Sequence, residues 1–265
     1  MGDVAQAVVE ELSACAPGRQ PRQLVNKSGA RLIAVDIEQG SGFEIWGRFV
    51  ALWPQTGFHP VLTVSAPSRA FLSHVNDEST MRDACNSEQI VQTLVDDVRA
   101  YEASVYDPEI EAVSFDEWML ELSEPSLAAR LRPDYDAPSM GITRMSAGGR
   151  KLWLYLLELR APYEIPMKFP ELLPNARRIL VEGSNGLTAM HHWAMLRSWY
   201  ERFDARAYFL DEVNLELSVG RPPLTAVEAA RVAIEQMAYC QDLIQDVRRA
   251  GDGQVRSTHW NFWWD

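Results

Sequence analysis

Cysteine is scarce in this chain. Its 265 residues hold three, Cys15, Cys85 and Cys240, far apart and odd in number. They give neither the paired spacing of a zinc knuckle nor a disulfide framework, and reduced thiols in a cytoplasmic protein are the reading that fits. Long apolar runs are missing too. The longest nearly uncharged stretch, Leu152 to Leu157, is far shorter than the roughly 20 residues that cross a bilayer, so no membrane segment is expected. The opening Met-Gly-Asp-Val-Ala-Gln lacks a basic region followed by an apolar one and does not read as a secretory signal. Gln6 also stands where a myristoylation site has Ser or Thr. A basic cluster is absent, which argues against direct nucleic-acid binding, whose affinity comes from Lys and Arg. Gly-x-Ser-x-Gly and His-Glu-x-x-His are absent as well, and Gly40-Ser41-Gly42 lacks the Gly-Lys-Ser/Thr ending of a phosphate loop. Neither a cofactor nor a metal is expected.

What is present is a globular composition with one charged region. At 47% hydrophobic and 23% charged, the chain lies well inside the folded class. It carries 37 acidic and 25 basic side chains, a formal charge of −12. Residues 77–136 hold 16 Asp or Glu against 4 Lys or Arg, so this segment accounts for the whole excess and the rest balances.

Periodicity predicts an α+β protein with a mixed sheet flanked by helices. Helices are expected over residues 3–14, from Phe43 to Trp53, along the stripe Ile90 to Tyr101, after Ser114, over Thr188 to Phe203, and after Thr225. Strands are expected at Arg31 to Ile37, Val61 to Val64, Leu152 to Leu159, Arg178 to Val181, Ala205 to Leu210, Asn214 to Val219 and Trp260 to Trp264. Ala16 to Gly29 reads as a loop. Asp134 to Gly149, rich in Pro, Ser and Gly, reads as a linker. The division expected is an N-terminal region 1–136, a linker 137–150 and a C-terminal domain 151–265. That domain would run strand, helix, hairpin, helix, strand.

The C-terminal third carries several separate motifs. They are Leu196-Arg-Ser-Trp199-Tyr-Glu-Arg-Phe203, Leu215-Glu-Leu217, Arg221-Pro222-Pro223, Glu235-Gln-Met-Ala-Tyr239-Cys240-Gln-Asp242 and the terminal Trp260-Asn-Phe262-Trp263-Trp264-Asp265. In this order they resemble the bacterial domain-of-unknown-function family 4253, over roughly residues 175–265. Gly183-Ser184-Asn185 looks like that family's Gly-x-Asn turn. Cys240-Gln241-Asp242 departs from its usual Cys-Pro-Asp. The resemblance implies a fold and no activity.

Two sets of residues qualify as sites. In a strand, Trp260, Phe262 and Trp264 share one face and Trp263 and Asp265 the other, which suits either core packing or a pocket wall. With Asn185, Trp199, Arg221, Tyr239 and Asp242 they form the ligand or interface candidates. Arg221 at a strand exit suits an anion clamp, or an ion pair with Asp242 or Asp265. A Cys–His nucleophile would need His191, His192 or His259 to reach Cys240. The second set is acidic: Asp96, Asp97, Glu102, Glu109, Glu111, Asp116 and Glu117, either a solvated helix face or a docking surface for a basic partner. The expected function is a non-catalytic cytoplasmic bacterial binding protein, such as an immunity-type inhibitor of a basic toxin or nuclease. An enzyme or small-ligand binder near Arg221, Tyr239 and the terminal aromatics is the alternative.

Overall fold

The least polar segments of the chain become the central strands, and these fix the layers. The computed structural model describes residues 2–26, 29–67, 86–133, 151–174, 187–241 and 246–264, the side chains of 2–7 and 39 aside. Strands β1 (Arg22–Val25), β2 (Arg31–Ile37), β3 (Phe58–Thr63), β4 (Leu152–Glu158), β5 (Ala205–Leu210), β6 (Asn214–Val219) and β7 (His259–Trp263) form one sheet. Their order is β1-β2-β4-β3-β5-β6-β7. β3 and β5 run parallel and the other neighbours antiparallel, so the protein is α+β with a mixed sheet. β3 is buried at every position and β4 at all but its last, the pattern of strands covered on both faces. β4 lies between β2 and β3, so strands from both sides of the acidic segment share the sheet.

Helices α1 (Gly2–Cys15) and α2 (Gly42–Thr56) lie on one face, over Ile33, Val35, Leu62, Leu154, Leu156 and Tyr208. On the other, α7 (Ala189–Phe203) and α8 (Ala226–Tyr239) cover Leu215, Leu217, Trp260 and Phe262. Helix α3 (Ser87–Val105) packs against both of these, and α5 (Glu124–Arg130) against α8. Short helices α4 (Phe115–Leu120), α6 (Ile165–Lys168) and α9 (Val247–Gly251) complete the described α-helices. Thr188 caps α7 by accepting from the His191 N–H, and Thr225 caps α8 by accepting from the Glu228 N–H. In the β5–β6 turn the Asp211 carboxylate accepts from the Val213 and Asn214 N–H groups.

Four expectations change. β1 lies inside the stretch read as a loop, because an edge strand exposed at three of its four positions has no apolar alternation. Helix α2 runs past Pro54 to Thr56 and stops at Gly57, whose φ of 72° only glycine adopts freely. β3 starts at Phe58, not Val61. Pro60 has no N–H to give, and the β3–β5 ladder registers beyond it, at Leu62 and Phe209. The stripe after Ser114 splits: α4 ends at Leu120, Leu122 is buried in the connection, and α5 begins with Pro125 in its first turn. The strand expected at Arg178 to Val181 and the linker at 137–150 lie outside the described residues.

Candidate functional site

Period-two alternation along β7 aims Trp260 and Phe262, with Trp264 just beyond, at α7 and α8. There Trp199 stacks on Phe262 at 5.2 Å and meets Trp260 and Tyr239 edge-on at 5.4 and 5.3 Å. Tyr239 also meets Phe262 and Trp264, each at 5.3 Å. All five rings are buried. The Tyr239 hydroxyl and His192 Nδ1 share a 2.5 Å hydrogen bond. Burial, with His191 beside it, pushes the His192 imidazole down to about 3, so the ring is neutral at ordinary pH. The same burial raises the Tyr239 phenol well above its usual value.

Other candidates from this region lie elsewhere. Trp263 points to the opposite face of β7 and is half-buried, and its carbonyl accepts from the Cys240 thiol at 3.1 Å. Arg221 is exposed after β6 and donates to the Glu201 carbonyl, so it does not join Tyr239. His191 caps α7 through Nδ1, and His259 Nε2 lies 3.1 Å from Glu216, so the described histidines at 191, 192 and 259 are engaged away from Cys240. Asn185, Asp242 and Asp265 lie outside the described residues.

A cleft of about 350 Å³ opens between α3, α7 and α8. Its floor is the Glu235 carboxylate, buried on α8, which accepts from Trp199 Nε1 at 2.9 Å and from Arg202 Nη1 at 2.7 Å. Arg202 Nη1 also reaches Ser198 Oγ, while Arg231 on the rim holds Glu124. Sequence reasoning quoted Glu235, Arg202 and Ser198 within motifs and counted none of them among the candidates. The signal was there: Trp199 and Arg202 are three apart on one helix face, and Glu235 interrupts the apolar stripe of α8. Removing the cation from a carboxylate this buried is costly, so Arg202→Met should lower stability by about 3 kcal/mol in urea titration. A loss under about 1 kcal/mol would show that the pair behaves as a surface pair.

On the opposite sheet face a second polar group is buried. A β-bulge between Ala207 and Phe209 turns Tyr208 toward α2, where its hydroxyl donates to Glu216 Oε2. His259 Nε2 completes the group, and Phe43 and Trp46 close over the Tyr208 ring.

The acidic candidates occupy α3, α4 and the turn between them. Asp96, Asp97, Glu109, Asp116 and Glu117 are exposed, and Glu102 and Glu111 are half-buried. Large apolar side chains are exposed among them: Val105, Ile110 (78%), Val113, Phe115 and Leu120. These are five of the ten exposed large hydrophobics among the described residues, gathered within 16 positions. The surface is ordered from beneath. Tyr106 meets Phe115 and Trp118 edge-on and donates its hydroxyl to the Val113 carbonyl, and Asp107 caps the turn at the Glu109 N–H. Arg99 ties α3 to the far end of α4 by two hydrogen bonds to the Leu122 carbonyl. Burial raises the Glu102 carboxyl and Glu111 adds repulsion, against a lowering hydrogen bond from Trp118.

With these positions fixed, the family comparison has a structural meaning. Residues 161–265 match the family described as Domain of unknown function (DUF4253). No curated protein matches the chain, and neither does any solved structure. The DUF4253 region supplies the aromatic cluster, the Arg202–Glu235 pair and the Tyr208–Glu216–His259 group. The cleft is completed from outside it by Glu88, Val91, Gln92, Val95, Arg99 and Glu124. The acidic, apolar surface lies wholly outside DUF4253. Among the described residues no helix is long and apolar enough to cross a membrane.

Proposed function

We propose that the protein is a non-catalytic binding protein whose surface over residues 102–121 docks a basic protein. One observation carries this: exposed Ile110, Phe115 and Leu120 stand among carboxylates in a stretch, residues 100–129, with no Lys, Arg or His. Apolar side chains give a docked partner its desolvated contacts, and the surrounding carboxylates attract and orient Lys and Arg. A basic toxin or nuclease, held inactive inside a bacterial cell by an immunity-type inhibitor, has the complementary chemistry. The cytoplasm is the compartment this reading requires.

The test is affinity measured against salt and against charge reversal. The chain should bind its basic partner more weakly as salt rises from 0.05 to 0.5 M, since exposed pairs are screened beyond roughly 10 Å at about 0.1 M. The double variant Asp116→Lys/Glu117→Lys should weaken binding by about two orders of magnitude, and Phe115→Ala by about tenfold. Binding that survives both the reversal and high salt would place the partner on another surface.

A second reading, small-ligand binding, has support of its own in the cleft, where Arg202 and Glu235 present opposite charges at the floor. The buried rings of Tyr239 and Trp264 give it no such support.

A further inference from the structure

After α8 the chain passes α9 and makes a 3-10 turn, Gln254–Arg256, before entering β7. The turn packs on α8 and β7, and Arg256 is buried there with 3% of its surface exposed. Its Nε, Nη1 and Nη2 all lack a hydrogen-bond partner among the described residues. This differs from Arg202, which holds Glu235, and Arg31, which holds Glu158 through two nitrogens. A guanidinium cannot shed its charge by losing a proton, and an ionised group removed from water without an acceptor is strongly unfavourable.

Arg256 is not the only group left unsatisfied around this turn. Gln254 donates through Nε2 to Gln236 Oε1 at 3.1 Å and accepts from the Asn261 N–H at 3.3 Å, so its amide joins α8 to β7. Both of those neighbours have a free side-chain end. Among the described residues, fully buried Gln236 has an unpartnered Nε2 donor, and Asn261 an unpartnered Oδ1 acceptor. The donors therefore outnumber the acceptors, and the largest of them is a cationic fork shaped for two oxygens.

We infer that the turn at Arg256 is a binding site for a small oxyanion, with hydrogen phosphate the best chemical match. The anion neutralises Arg256 and takes the Gln236 amide hydrogen, while its remaining O–H suits Asn261 Oδ1. A macromolecule has no access to a side chain this deeply buried. The ligand is a compact free anion, or a small metabolite offering only its phosphate or carboxylate group.

The experiment is thermal unfolding of the full chain in sodium phosphate, sulfate, acetate or chloride at equal ionic strength. Phosphate at about 100-fold over its Kd should raise Tm by roughly 5 °C or more relative to chloride. A response to acetate alone would assign the site to carboxylates, still an oxyanion site. Arg256→Met removes the charge at similar volume. In phosphate-free buffer it should melt at or above the wild-type temperature, and its phosphate response should vanish. Gln236→Leu should keep the fold and weaken phosphate about tenfold, the loss of one hydrogen bond to a charged group. If none of the three oxyanions shifts the wild type, the inference is overturned. The same holds if Arg256→Met and Gln236→Leu respond to phosphate as fully as wild type.

Discussion

Trp199→Ala should cost the protein about 3–5 kcal/mol and lower Tm by roughly 10 °C. The ring lies at the centre of the C-terminal core, stacked on Phe262 and edge-on to Trp260 and Tyr239, with no surface exposed. Removing it leaves a cavity the size of an indole among rings that cannot rotate inward to fill it. It also takes the Nε1 donor from the buried Glu235 carboxylate, which then keeps Arg202 and loses its second partner. A total stability of about 5–15 kcal/mol leaves little margin for such a loss. Trp263→Ala is the matched control, being half-buried on the opposite face of β7. Its cost should stay below about 2 kcal/mol. Equal losses at the two positions in urea titration would mean that the aromatic cluster does not hold this end of the sheet together.

That control separates two readings that the residues alone left open. Alternation placed Trp260, Phe262 and Trp264 on one face correctly, because a strand has only two faces and period two assigns them. Whether that face met a ligand or a helix depended on α7 and α8, whose positions are set by the β3–β5 parallel pairing and the β5–β6–β7 antiparallel ladders. Those contacts join residues up to about 150 positions apart, and no local pattern encodes them. Helices with side-chain caps were legible for the converse reason: Thr188 and Thr225 act on N–H groups three residues away. Arg202 and Glu235 were missed as a pair because they meet across two helices, 33 residues apart.

The local charge acquires meaning in the same way. Counting by segment showed that residues 77–136 hold the acidic excess, and favoured a solvated helix face over a docking surface. The fold adds that Ile110 and Phe115 are exposed among those carboxylates, while Tyr106, Arg99 and Asp107 hold the backbone beneath them. A face that serves only for solvation needs no exposed isoleucine or phenylalanine. An ordered surface also loses less entropy on docking than a loop that must first fold.

Acid should destabilise the protein from about pH 6.5 downward, through two histidines. His59, buried at the start of β3 against the Trp53 ring, and His192 are each pushed down to about 3, chiefly by burial. The unfolded chain binds a proton at each near 6.5, so the stability they contribute is complete above pH 6.5 and is lost as pH falls toward 3. Glu171 acts in the opposite sense. Burial pushes its carboxyl up to about 7, so the folded state gains its proton before the unfolded chain does near 4.5. Between pH 6.5 and 4.5 the unfolded state therefore binds a net one proton more. Stability should fall by about 1.4 kcal/mol per pH unit, or roughly 3 kcal/mol over that window. Below about 4.5 Glu171 stops opposing and the slope should double, with Glu158, held low by its hydrogen bonds from Arg31, adding to the loss. Urea midpoints at pH 7, 6 and 5 measure the slope directly. His192→Gln keeps an acceptor for the Tyr239 hydroxyl and removes one of the two titrating rings, so the curve between pH 6.5 and 4.5 should become nearly flat. An unchanged slope in that variant would show that His192 accepts its proton in the folded protein, and that the core around Tyr239 is open to water.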